Sequence, residues 1–97
     1  MELKLMDLRR YAIDNRVEVK ITDSDSNREV LINTRGQARI EDEGRDFRVE
    51  EVIASADRFE IIKEGKPQRM GRDQMAATIS EAFKKRSFAG AHSDEEE

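Results

Sequence analysis

Between residues 17 and 22 the chain alternates strictly. Val17, Val19 and Ile21 are apolar, and Glu18, Lys20 and Thr22 stand between them. A side-chain period of two puts the aliphatics on one face of a strand and leaves the other face wet, so this stretch folds as part of a half-buried sheet. The pattern then returns at short intervals. Val30 and Ile32 share one face of a strand expected at 29–33, and Ala38 and Ile40 share one face of another at 37–41. Between them lie two turn sequences. Asp23-Ser24-Asp25-Ser26-Asn27 has short polar side chains that bond their own backbone, and Thr34-Arg35-Gly36 offers a glycine for positive φ. Three strands joined by two tight turns make an antiparallel meander.

Helical spacing surrounds this meander. Leu5, Leu8, Ala12 and Ile13 mark one face of a helix over about 6–14, with Asp7 as its N-cap and Asn15 as its stop. Val49, Val52, Ile53 and Ala56 mark a second helix over 48–57, although Phe47 and Val49 leave open whether residues 46–50 begin a helix or a strand. Phe59, Ile61 and Ile62 place a fourth strand at 58–63, and Glu64 to Gln68 reads as a loop around Gly65 and Pro67. Met75, Ile79, Ala82 and Phe83 give a last helix over 73–86, with Asp73 at its N-cap. The expected fold is α+β, in the order α-β-β-β-α-β-α. A four-stranded, mostly antiparallel sheet carries the helices on one face and shows Glu18, Lys20, Arg39 and Glu41 to water on the other.

Composition limits how large this domain's core can be. Leu, Ile, Val and Phe make 21 of the 97 residues, just above the roughly 20% below which a highly charged chain stays unfolded. For a core this small, either marginal monomer stability or some help from self-association is expected. Residues 89–97 hold no large apolar side chain and end in Asp-Glu-Glu-Glu. They read as a disordered acidic tail behind a single domain spanning 1–88. No stretch approaches the roughly 20 apolar residues of a membrane span. Charges interrupt the N-terminus too early for a signal-peptide core. With no cysteine in the chain, a reducing cytoplasm is the expected compartment.

Few residue patterns carry chemistry. Asp23, Asp25 and Asn27 open like a calcium loop, but Arg28 stands where that loop needs glycine and Thr34 where it needs a bidentate glutamate. His92 is the single histidine and lies in the tail, without an orienting partner for acid–base work. Glu41, Asp42, Glu43 and Asp46 cluster, but Arg45 and Arg48 interleave with them and read as local charge compensation. Glycines at 36, 44, 65, 71 and 90 are too scattered for a phosphate loop. The serines lack a nucleophile-elbow context. No cofactor or metal site is expected.

Charge distribution supplies the strongest positive signal. Residues 63–86 hold Lys63, Lys66, Arg69, Arg72, Lys84, Lys85 and Arg86 against Glu64, Asp73 and Glu81, in a chain whose formal net charge is −4. Clustered cations suit phosphates or an acidic partner, but only Phe83 interleaves them, which leaves base stacking unsupported. By exclusion, the sequence points to a small intracellular, non-enzymatic protein-interaction or accessory domain, with a protein partner or a second copy as its ligand. The alternative is a weak electrostatic nucleic-acid or polyanion binder acting through those seven residues. An enzyme built from carboxylates and arginines alone ranks third.

Overall fold

The computed structural model describes residues 2–40 and 48–95, with side chains as far as residue 85. Its elements are α1 (Leu5–Asn15), β1 (Glu18–Asp23), β2 (Arg28–Ile32), β3 (Ala38–Ile40), α2 (Val49–Ser55), β4 (Arg58–Lys63), β5 (Lys66–Met70) and α3 (Arg72–Glu95). The strands form one antiparallel sheet in the order β3-β2-β1-β4-β5. The α+β architecture and the meander follow the sequence reading. The strand count does not: there are five strands where four were expected, and the order is α-β-β-β-α-β-β-α.

The added strand is the segment read as a loop. Glu64 and Gly65 both take positive φ, 53° and 78°, the two-residue turn whose twist suits a hairpin. The chain therefore reverses at once, and Lys66 to Met70 pairs with Lys63 to Phe59. Pro67 is accommodated because β5 lies at the sheet edge, where a missing N–H need not break a ladder. Only Met70 of this strand is buried, so it has no apolar alternation to read. Met70 itself is 6% exposed and belongs to the core.

Alternation sorts the two sheet faces. Val19, Ile21, Val30, Ile32, Phe59 and Ile61 are buried on one side. There α2 lies over β1 and β2, α3 lies over β4, and α1 touches both other helices. Leu8, Ala12, Val52, Ile53, Met75 and Ile79 close the core from the helix layer. Each of the larger side chains among these contributes roughly 1.5–3 kcal/mol on full burial. The opposite face carries Glu18, Lys20, Arg39 and Arg69. There Glu60 is 8% exposed, because its strand neighbours are Lys20 on β1 and Arg69 on β5.

Details of α1 differ from expectation. Lys4, not Asp7, is the N-cap. Asp7 sits at the third helical position, and its carboxylate accepts the Lys4 backbone N–H at 3.3 Å, one half of a capping box. At the other end Arg16 takes the left-handed conformation, and the Val17 N–H donates to the Ala12 carbonyl at 3.1 Å. Ile13 is not a core residue; it is 48% exposed.

Some expectations fall outside the described residues. They are the last residue of the third strand, Glu41, the acidic loop 41–45, and the question of residues 46–47. The second helix is present over Val49–Ser55, ending two residues short of the 57 read from the sequence because Ala56 is extended. The disordered tail at 89–97 and the domain boundary before it fall where side chains are outside the described set. The assigned α3 runs to Glu95, past the Arg86 end read from the sequence.

Candidate functional site

The seven cations singled out by the sequence do not form one surface. Arg72 is part of the fold. It opens α3 beside the end of α2, where the last carbonyls of that helix have no intrahelical partner. Its Nη2 donates to the Ala56 carbonyl at 2.8 Å and to the Ile53 carbonyl, and its Nε donates to Ala56 at 3.2 Å. The guanidinium also lies over the Phe59 ring, 5.5 Å from its centroid. A planar fork is suited to capping two carbonyls at once. Arg69 lies on the open face of β5, paired with Glu60 at 3.5 Å.

Lys63, Lys66, Lys84 and Lys85 lie toward one end of the sheet. Asp14, Asn15, Ala82 and Phe83 line a single hollow, so α3 passes the end of α1 at Phe83. From there the chain enters β1, where Glu18 pairs with Ile62, next to Lys63. All four lysines are exposed, Lys63 and Lys66 flanking the β4–β5 turn with Glu64, and Lys84 and Lys85 following Glu81 on α3. The Arg86 side chain lies outside the described residues. Phe83, read as core, is half-buried and has Arg10 over its ring at 5.8 Å.

The candidate calcium loop is bonded into the protein. Asp23 Oδ2 accepts the Ser55 hydroxyl at 2.7 Å and the Ser26 hydroxyl at 2.9 Å, while Oδ1 accepts the Asp25 N–H at 3.1 Å. Across the same joint, Asp57 Oδ1 accepts the Ser24 N–H at 2.8 Å, and the Asp57 N–H donates to the Thr22 carbonyl at 3.0 Å. These bonds favour the ionised carboxylates. Asp23 is held below its ordinary value by the Ser55 hydroxyl first and the Ser26 hydroxyl second. Asp57 is lowered chiefly by the Ser24 backbone N–H. The arrangement clamps the β1–β2 turn to the end of α2. Among the described residues, no group of three or more His, Cys, Asp or Glu is placed to hold a metal ion.

The surface that sequence reasoning missed is the outer side of α1. Leu8, Tyr11 and Ala12 turn inward. Met6 and Ile13, one at each end of a two-turn interval, lie on the side away from them. Among the described residues these are the large apolar side chains left most in water, Met6 at 78% exposure and Ile13 at 48%. Their neighbours Arg9 and Arg10 are drawn off to opposite flanks. Arg9 Nε donates to the Gly36 carbonyl at 2.8 Å, and Arg10 lies over Phe83. Gly36 fixes the first flank closely: a Cβ there would come within 2.6 Å of Ile13 Cδ1, and its φ is +82°.

Beside this ridge an open groove of about 770 Å³ runs between the N-terminal segment, α1 and α2, with Leu3, Leu5, Met6, Ile13, Ile53 and Ala54 supplying apolar lining. A clue was present in the sequence: Met6 and Ile13 repeat at seven, opposite the Leu8–Ala12 stripe. Grouping Ile13 with the core residues concealed it. Among the described residues, no helix is long and apolar enough to cross a membrane. Compared with protein-family models, curated proteins and solved structures, the chain matches none.

Proposed function

We infer that this chain is a small, non-enzymatic protein-interaction or accessory domain that meets its partner through the outer side of α1. One observation carries the reading: α1 is apolar on two opposite sides, and the fold covers only one of them. An apolar ridge beside an apolar groove is the form in which a surface accepts a polypeptide segment. The cysteine-free composition suits a reducing cytoplasm.

A photocrosslinking residue placed at position 6 in the native cell tests this, with position 20 on the open sheet face as control. Position 6 is expected to crosslink to a polypeptide and position 20 is not. No crosslink from position 6, or equal crosslinking from both, overturns the reading.

The polyanion alternative rests on four lysines at one end of the sheet. Arg72 serves the fold instead and Arg69 is paired with Glu60, which leaves that reading with fewer unpaired cations than the sequence suggested.

A further inference from the structure

We propose that the occupant of the outer α1 face is a second copy of this chain, paired by a two-fold axis. The proposal rests on the interaction reading above and names its partner.

The first support is the pattern along the ridge. Reading outward residues in order gives Met6, then Arg9 and Arg10, then Ile13, an order that is the same in kind from either direction. Met6 and Ile13 are separated by about 10.5 Å along the axis. Two antiparallel copies therefore set each Met6 against the other chain's Ile13, and both exposed side chains are covered in one step. A face that matches its own reverse is what an isologous contact requires.

The second support is charge. The groove and ridge carry Lys4, Arg9 and Arg10 against Glu2, Asp14 and Glu50, three of each sign. A surface built for an acidic peptide, a nucleic acid or an anionic membrane has one sign in excess. A surface that meets its own copy must be balanced, because any excess meets itself.

The third is the position of the arginines. They would gather near the two-fold axis, but each is held to a flank by its own chain, Arg9 by Gly36 and Arg10 by Phe83. The apolar ridge is left between them. Residual repulsion among these guanidinium groups gives the contact a distinctive salt response. Screening strengthens it, whereas salt weakens polyanion binding.

Sedimentation equilibrium of the full chain, from micromolar to millimolar concentration at low and high salt, is the test. A reversible dimer is expected, tighter at high salt. Met6→Glu should raise its Kd by roughly tenfold or more, Ile13→Ser should weaken it, and Arg10→Gln should tighten it. Met6 is so exposed that Met6→Glu leaves the folded monomer intact, as unchanged circular dichroism at low concentration will show. A wild-type chain that stays monomeric throughout, or a Met6→Glu dimer as tight as wild type, overturns the proposal. If the purified chain is monomeric but position 6 crosslinks to a different polypeptide in cells, the second copy is wrong and the interaction reading stands. If it is monomeric and position 6 crosslinks to nothing, both fall.

Discussion

At one end of the sheet charged side chains are bonded into the fold; at the other they stand in water. Where β1 and α2 end and α3 begins, Asp23 and Asp57 accept hydroxyl and backbone hydrogens, and Arg72 caps two carbonyls of α2. On the β4–β5 hairpin and the last turn of α3 with described side chains, the side chains of Lys63, Lys66, Lys84 and Lys85 make no hydrogen bond or ion pair with other described residues. Both places carry ionisable side chains. The difference lies in what each charge finds within reach: an unpaired helix terminus or turn N–H, or only solvent. A charged group that satisfies a half-buried backbone group carries structural weight, and one on an open surface carries little.

The strongest way to break this comparison is at Arg72. Arg72→Met keeps an unbranched apolar stem but removes every donor to the Ile53 and Ala56 carbonyls. A loss of about 3 kcal/mol in unfolding free energy is expected by urea denaturation. Arg72→Lys should recover little of it, since one ammonium cannot reproduce the fork. A loss below about 1 kcal/mol for Arg72→Met would show that water caps α2 equally well.

A smaller, pH-dependent effect belongs to the two aspartates of the same end. Both are depressed in the folded protein from an ordinary value of 3.8. A depressed carboxylate stabilises the fold fully above its unfolded pKa and loses that contribution as pH falls through the folded one. Thermal stability should therefore be level near neutrality and fall as pH drops below about 4. Ser55→Ala removes the main cause of the Asp23 shift, so it should lower stability at pH 7 and flatten the acid limb. An acid limb as steep as wild type would mean that Ser26 and the turn backbone hold Asp23 unaided.

At the other end the expected effect is smallest. Replacing Lys63, Lys66, Lys84 and Lys85 together by Ala should change stability by only about 0.5 kcal/mol. The same variant sharpens the alternative function. If those lysines hold phosphates, binding of a labelled single-stranded oligonucleotide at low salt should disappear in the variant, and in wild type it should weaken as salt rises. Oligonucleotide binding that survives the fourfold change would move the contact elsewhere, and no wild-type binding at low salt would end the polyanion reading.

Much of this protein is determined by local pattern. The alternation of Val19 and Ile21, of Val30 and Ile32, and of Phe59 and Ile61 sets which face of the sheet is buried. The turn residues at 23–27 and Gly36 set where the meander reverses. Helical spacing sets α2 and the start of α3, because one face of each must be buried whatever lies opposite. Three features were decided only in the folded chain.

Strand β5 carries no apolar code, since four of its five residues are exposed. It is a strand because a two-residue turn at Glu64 and Gly65 delivers it to an unpaired edge of β4. The role of Arg72 depends on α2 ending within its reach, a contact sixteen to nineteen residues back in the chain. The exposure of Ile13 depends on which side of α1 the sheet and neighbouring helices occupy. Periodicity tells which residues share a helix face. When a helix has apolar residues on two faces, only the packing of the other elements decides which face is covered and which is left in water.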